Sequence, residues 1–217
     1  MIDATAGAPA AAAAEGVVLV VEDDALLGRA LTRLLRSAGH RVELHDRVGA
    51  LLDRPLPDAP ACLVLDLHLP DGSGFDVLDH VEALGESLPA VVITAHGDVP
   101  TTVRAMKRGA IELLEKPFDN RRLLEAVAAG LERNARERAE RHRRQSARDR
   151  LAALSSRERE VLELVVEGLP NKRIASRLGV SEQTVKVHRM RIMEKTGADS
   201  LPELVRLSAA AGEPAGT

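Results

Sequence analysis

The chain has 217 residues, a formal net charge of −3, 45% hydrophobic and 29% charged residues, and only two aromatic residues. These values predict one or two soluble globular domains with cores of Leu, Val, Ala and Ile. The single cysteine, Cys62, excludes an internal disulfide and cysteine-rich zinc sites, and its apolar neighbours indicate a buried structural thiol. Apolar runs stay below the about 20 residues of a membrane helix, so we expect a cytoplasmic protein with no membrane partner.

Charge is distributed unevenly along the chain. Residues 1–15 are rich in alanine, lack the basic start of a signal peptide, and are predicted to form a disordered tail. Residues 1–132 carry 12 Lys and Arg against 21 Asp and Glu, residues 133–150 carry 8 against 3, and residues 151–212 carry 10 against 8. An acidic first half joined to a basic second half predicts different partners for the two.

The first half alternates strand and helix patterns. Short strand-like runs alternate with helical spacing of Leu, Val and Ala, and the continuous apolar run Val17–Val21 is typical of a strand buried on both faces. The predicted strands are Val17–Val21, Arg41–Leu44, Cys62–Leu65, Ala90–Ile93 and Ile111–Leu114. The predicted helices are Leu26–Leu35, Val48–Leu52, Phe75–Leu84, Val99–Arg108 and Arg121–Leu131. Five such units over residues 16–132 predict a doubly wound, flavodoxin-like α/β fold with a five-stranded parallel sheet.

Acidic, hydroxyl and amine side chains follow four of these strands. In chain order they are Glu22, Asp23, Asp24, Asp66, Thr94 and Lys116. Ligands of such folds bind at the carboxyl ends of the strands, so these side chains are expected to converge. Phosphoryl transfer needs a nucleophile, a divalent cation and donors for the phosphoryl oxygens. Asp66 is the predicted nucleophile, Glu22 and Asp23 are predicted Mg²⁺ ligands, and Thr94 and Lys116 are predicted to bind phosphoryl oxygens.

Each of these residue types also has an ordinary structural use. A carboxylate after a strand is commonly a helix cap or turn former, and Thr94 is also a typical β-branched strand residue. The segment after Asp66, residues 67–72, contains turn-forming residues and is predicted to be a loop. Pro117 follows Lys116, and the bond between them can adopt the cis form. The joint occurrence in one α/β unit is what favours a phosphoryl site.

The second half is entirely helical. Residues 133–150 continue the preceding helical pattern with many charges, and are predicted to form a solvated helical linker. The helices predicted beyond it are Ser155–Glu167, Asn171–Leu178, Ser181–Lys195 and Leu201–Ala210. Ser155 and Glu158 have the spacing of a capping box, and glycines follow the first three helices. Two short helices joined by a glycine turn predict a helix-turn-helix within residues 151–212.

The first half resembles the receiver domain of two-component response regulators over about residues 16–130. The motifs that carry this resemblance are Glu22-Asp23, Leu65–Gly74, Thr94–Asp98 and Lys116-Pro117. The resemblance implies phosphoryl transfer from a sensor kinase phosphohistidine to Asp66, with the backbone carbonyl of His68 completing the Mg²⁺ shell. It also implies that the receiver catalyses only its own phosphorylation and slow dephosphorylation. The family usually has an aromatic switch residue three positions before the lysine, and Leu113 stands there, which weakens the expected switching with Thr94.

Residues 151–210 resemble the LuxR-type helix-turn-helix, and the order of the parts resembles the FixJ/NarL group of regulators. The motifs are Leu154–Leu162, Gly168–Ala175 and Ser181–Arg189, with Gly97–Pro100 and Glu115–Asp119 typical of FixJ-like members. The resemblance implies that Lys186, Val187 and Met190 face the bases, with apolar readout at Met190. The predicted phosphate contacts are Lys172, Thr184, Arg189, Arg191 and Lys195. Val185 and Ile192 are predicted core residues.

Together these features predict a DNA-binding transcription regulator that is phosphorylated on Asp66 by a sensor histidine kinase. A homodimer formed on phosphorylation or on DNA would raise affinity for paired half-sites. Two alternatives stay open. A metal-dependent phosphatase would place a second Asp where the chain has His68. A constitutive DNA-binding protein with a purely dimerising receiver is favoured by Leu113, but the complete set of Asp23, Asp66 and Lys116 opposes it.

Overall fold

The computed structural model describes residues 16–85 and 87–212, so the predicted disordered tail lies outside the described residues. The chain divides into two compact units after Arg138. Within the described ranges, no helix combines the length and the apolar character needed to cross a membrane.

The first unit is a five-stranded parallel sheet flanked by helices. In chain order its elements are β1 (Val17–Val21), α1 (Ala25–Ser37), β2 (Arg41–His45), α2 (Val48–Leu52), β3 (Ala61–Asp66), β4 (His68–Leu69), β5 (Gly72–Ser73), α3 (Gly74–Ala83), β6 (Ala90–Thr94), α4 (Val99–Lys107), β7 (Ala110–Glu115) and the first part of α5 (Asn120–Ala152), which continues past Arg138. The order across the sheet is β2-β1-β3-β6-β7, with every pair parallel. The predicted α/β fold is confirmed.

Two apolar clusters cover the two faces of this sheet. β1, β3 and β6 are buried along their whole length, and successive residues alternate between the faces. One cluster joins the sheet to α1 and α5, and the other joins it to α2, α3 and α4. Cys62 is fully buried in the first cluster, and burial raises the pKa of its thiol to about 12. The predicted burial of this thiol is confirmed.

Gly130 of α5 packs directly against Cys62. A Cβ atom at this glycine would lie 2.6 Å from Cys62 Sγ and 3.0 Å from Ile111 Cδ1. We expect Gly130→Ala to lower the free energy of unfolding by up to about 2 kcal/mol, because overpacking of the core costs about 1–3 kcal/mol and alanine in the helix offsets about 1 kcal/mol of it. Gly49→Ala in α2 is the matched control, since the nearest atom there is 3.6 Å away and alanine stabilises helices by up to about 1 kcal/mol. If urea unfolding gave both variants a higher free energy of unfolding than the wild type, the close packing of Gly130 against Cys62 would be contradicted.

The segment after Asp66 differs from the predicted loop. β4 and β5 form a two-stranded antiparallel hairpin, with Pro70 and Asp71 at its turn. Asp71 Oδ1 accepts from Val48 N at 2.9 Å and its Oδ2 accepts from Gly49 N at 3.0 Å, so it caps α2 across the fold. Turn residues alone did not predict this hairpin, because two-residue strands carry too short a pattern to detect.

The second unit is helical. α5 runs without a break through residues 133–150, which are helical as predicted. Beyond it lie α6 (Ser156–Val166), α7 (Asn171–Leu178), α8 (Glu182–Thr196) and α9 (Leu201–Ala211). The predicted capping box of Ser155 and Glu158 is present at the start of α6. Val185 and Ile192 are fully buried in the core of this unit, which confirms their predicted packing role.

Candidate functional site

The predicted acidic residues meet at the carboxyl ends of β1 and β3. These strands pair with Val21 beside Leu65, so the residues that follow them are neighbours. Carboxylate oxygens of Glu22, Asp23 and Asp66 all lie within 4.8 Å of one another. Glu22 and Asp66 are buried and Asp23 is exposed. Asp24, the fourth acid in this stretch of sequence, is instead the N-cap of α1 and accepts from Leu26 N at 2.7 Å.

Lys116 joins the two buried carboxylates. Its Nζ donates to Asp66 Oδ2 at 2.6 Å and to Glu22 Oε2 at 2.8 Å. Burial lowers the pKa of the Lys116 amine, but hydrogen bonds and charge from Asp66 and Glu22 raise it more, and the pKa lies above its ordinary value. Burial raises the pKa of Glu22, although Lys116 opposes that shift. The backbone that presents Lys116 includes a cis Lys116–Pro117 bond, the form that the sequence allows.

The two oxygens of Asp66 have different partners. Oδ2 is held by Lys116, whereas Oδ1 accepts from the backbone N–H of His68 at 2.9 Å. Gly74, at the start of α3, lies against this residue, since a Cβ there would be 2.4 Å from the Asp66 carbonyl oxygen. Any side chain at Gly74 would therefore displace the strand end that carries Asp66. In the sequence, Gly74 was noted only as the last residue of the Leu65–Gly74 motif, without a packing role of its own.

Thr94 and Leu113 lie on the neighbouring strands β6 and β7. Thr94 is fully buried, and its hydroxyl accepts from His96 N at 3.3 Å and donates to the His96 carbonyl at 3.4 Å. Among the described residues, no hydrogen bond joins Thr94 to Asp66. Leu113 is half-buried and packs against the core, and one of its Cδ atoms would lie 3.4 Å from a Cβ on Gly97. The segment after β6 therefore contacts the position where an aromatic residue was expected.

The donor set of the acidic cluster fits a hard divalent cation. Mg²⁺ prefers oxygen ligands and commonly uses one or two carboxylates together with water. Glu22, Asp23 and Asp66 supply carboxylate oxygens at one point, and exposure of Asp23 leaves access for water. The cluster can therefore hold such a cation.

The helix-turn-helix elements of the second unit are α7 and α8. Lys186, Met190 and Arg191 are exposed on α8, and Lys172 is exposed on α7. Met190 has 62% of its surface exposed. Val187 is half-buried. These predicted DNA contacts are accessible or partly so.

Three other predicted contacts have partners within the second unit. Arg189 Nη1 donates to Asn171 Oδ1 at 2.9 Å, and the Thr184 hydroxyl lies 2.8 Å from that of Ser181. Lys195 Nζ donates to Glu158 Oε2 at 2.7 Å.

Glu158 is a buried acid that sequence reasoning treated only as a cap. Its Oε2 accepts from Lys195 Nζ and from both the backbone N–H and the hydroxyl of Ser155. The hydrogen bond from Lys195, with those from Ser155, lowers the pKa of Glu158 to about 2. This carboxylate thereby ties the end of α8 to the start of α6. Only the packing of α8 against α6 reveals that link, since Glu158 and Lys195 are 37 residues apart.

Family comparisons agree with this division of the chain. Residues 18–128 match the response regulator receiver domain, and residues 152–208 match the bacterial regulatory proteins of the luxR family. Transcriptional regulatory protein FixJ of Azorhizobium caulinodans is 44% identical over 195 residues, which are 90% of this chain and 92% of that protein. Nodulation protein W of Bradyrhizobium diazoefficiens is 42% identical over 201 residues, covering 93% and 88% of the two chains.

Solved structures show the same relationship. The response regulator StyR superposes with a TM-score of 0.83 at 45% identity, over 90% of this chain and 99% of that one. Full-length FixJ from B. japonicum gives a TM-score of 0.55 at 38% identity, over 93% and 99% of the two chains. With its acidic strand-end cluster and its helix-turn-helix, the chain belongs to the FixJ-like transcriptional response regulators, which join a receiver domain to a LuxR-type DNA-binding domain.

Proposed function

We propose that Asp66 accepts a phosphoryl group from the phosphohistidine of a sensor histidine kinase, and that this step controls DNA binding. The observation that carries the proposal is the pair of hydrogen bonds from Lys116 to Asp66 and Glu22 inside a three-carboxylate cluster. A buried carboxylate beside a fixed ammonium group is suited to nucleophilic attack on a phosphoryl group. The ammonium group can also stabilise the negative charge on the phosphoryl oxygens.

The proposed transfer is a single displacement at phosphorus. An oxygen of Asp66 forms the new bond to phosphorus, and the bond from phosphorus to the kinase imidazole nitrogen breaks, leaving its electron pair on that nitrogen. Lys116 already lies 2.6 Å from Asp66 Oδ2, so its amine is near any phosphoryl oxygen on that atom. Hydrolysis of the acyl phosphate later returns Asp66, and we propose no other enzymatic activity for the chain.

The cation that fits the cluster is Mg²⁺. We propose that Glu22, Asp23 and Asp66 hold it, with the backbone carbonyl of His68 as a further ligand. When bound, Mg²⁺ would neutralise negative charge on the phosphoryl group. The chain itself supplies the nucleophile, the amine of Lys116 and the buried setting that excludes bulk water from Glu22 and Asp66.

Thr94 is the proposed sensor of the phosphoryl group. Its hydroxyl makes two long hydrogen bonds to the His96 backbone, and these are weak enough to be exchanged for a phosphoryl oxygen. Leu113 would take part by repacking near Gly97, with less steric drive than an aromatic ring. The exchange would shift the segment between β6 and α4.

The proposed output is regulated binding to double-stranded DNA. Lys186, Val187 and Met190 would face the bases, and Lys172, Thr184, Arg189, Arg191 and Lys195 would contact phosphates. We propose residues 16–132 as the receiver, 133–150 as the linker and 151–212 as the DNA-binding domain. A homodimer formed on phosphorylation or on DNA would bind paired half-sites.

The test is incorporation of labelled phosphate from a sensor kinase or a small phosphodonor. We expect one phosphoryl group per chain in the presence of Mg²⁺, none after chelation, and none in Asp66→Asn. The molecular mass from light scattering and the affinity for operator DNA, measured on the same samples, should change only in samples that incorporate label. Equal labelling of Asp66→Asn would refute the assigned acceptor, and labelling without any change in DNA affinity or dimerisation would refute the proposed control.

A further inference from the structure

Two histidines lie together beside the acidic cluster. The rings of His68, in β4, and His96, after β6, have centroids 6.2 Å apart at an interplanar angle of 64°. Both side chains are exposed. The backbone N–H of His68 donates to Asp66 Oδ1, and that of His96 donates to Thr94 Oγ1. The imidazole pair therefore joins the two segments that hold Asp66 and Thr94.

We propose that His68 and His96 form a binding site for a divalent transition-metal cation of the Zn²⁺ class. The metal–nitrogen distance to imidazole is about 2.0–2.1 Å, so two rings that bind one ion at the tetrahedral angle have centroids roughly 5.2 Å apart. The observed separation is 6.2 Å, which is about 1 Å wider. Because both rings are exposed, side-chain rotations can close this difference and direct one nitrogen of each toward a common ion.

The chemistry of the pair distinguishes it from the carboxylate cluster. Imidazole nitrogens suit Zn²⁺, Ni²⁺ and Cu²⁺, whereas Mg²⁺ prefers carboxylates and water. In residues 16–85 and 87–212, no group of three ligating side chains within 4.8 Å includes either histidine, so water would complete the coordination shell. Cys62 cannot compete for the ion, because it is fully buried and its thiol stays protonated.

A bound ion would fix the two segments relative to each other. His96 is the hydrogen-bond partner of the Thr94 hydroxyl, so holding His96 would hold Thr94 in its present bonds. This consequence rests on the proposed function: with Thr94 held away from the phosphoryl group, Zn²⁺ should lower phosphoryl incorporation at Asp66.

Binding is tested by calorimetry with Zn²⁺ on the full chain, in enough Mg²⁺ to saturate the carboxylates. We expect wild type and His142→Asn, a matched exposed histidine, to bind one ion at this site, and His68→Asn and His96→Asn to bind it at least tenfold more weakly. In NMR spectra, Cu²⁺ should broaden the imidazole signals of His68 and His96 first. Equal affinity in all four proteins, or loss of binding only in Asp23→Asn, would overturn the site.

Control by the ion is tested separately by phosphate labelling with and without Zn²⁺. We expect at least a threefold reduction in the wild type and no reduction in His96→Asn relative to its own zinc-free sample. Zinc binding without reduced labelling would overturn the control while the site stands. If the wild type fails to label even without Zn²⁺, the proposed phosphorylation fails, and calorimetry still decides whether the histidine site exists.

Discussion

Replacing Lys116 with methionine should destabilise the first unit by about 2 kcal/mol at pH 7. The change leaves the buried carboxylates of Glu22 and Asp66 without their shared cation. Breaking a fully buried ion pair costs roughly 3–5 kcal/mol, and the effect here is smaller because 22% of the Lys116 side chain is exposed. Urea unfolding, with amide hydrogen exchange at β1 and β3 to identify the unit, measures the loss.

The pH dependence of this variant has a definite sign. Burial already raises the pKa of Glu22, and removal of Lys116 removes the effect that opposes this rise. A group whose pKa is raised by folding adds stability at low pH and loses it as pH rises through the folded pKa. The variant should therefore regain stability as pH falls from 7 toward 5, and also on addition of Mg²⁺. Lys107→Met, at an exposed lysine of α4, is the control and should be near neutral. A Lys116→Met loss that is independent of pH would contradict the role of the carboxylates.

Replacing Glu158 with glutamine should destabilise the second unit by about 2 kcal/mol at pH 7, since hydrogen bonds to charged groups contribute about 1.5–3 kcal/mol. Glutamine keeps the shape but weakens the bonds from Lys195 and Ser155. We expect faster hydrogen exchange at the end of α8 and the start of α6. Glu163→Gln, at an exposed position of the same helix, should leave both unchanged.

The wild type should also lose this stability in acid. The pKa of Glu158 falls from 4.5 to about 2 on folding, so its contribution is complete above about pH 4.5 and declines as pH falls toward 2. In Glu158→Gln that decline should be absent from the second unit. Identical acid profiles for the two proteins, measured by unfolding at each pH, would show that Lys195 does not stabilise the ionised form.

The periodicity and capping signals of short sequence stretches were sufficient to predict most of the fold. The five strands of the sheet, the helices between them, and the Ser155 cap with its Glu158 partner were all predicted, since periodicity and capping depend on residues a few positions apart. β4 and β5 were not predicted, because a strand of two residues is too short to show the alternation of apolar and polar residues that indicates a strand. In the sequence Asp24 cannot be distinguished from the acidic residues Glu22 and Asp23. Only the structure shows that it caps the start of α1.

The sequence by itself determined the two-part architecture, the strand ends that carry the acidic site and the family of the chain. Tertiary structure decided which of those side chains meet. It placed Lys116 between Glu22 and Asp66, paired Lys195 with Glu158, and brought His68 beside His96. These contacts join residues 28 to 94 positions apart. They depend on strand order and helix packing, which burial of the whole apolar core selects and which no local stretch of sequence encodes.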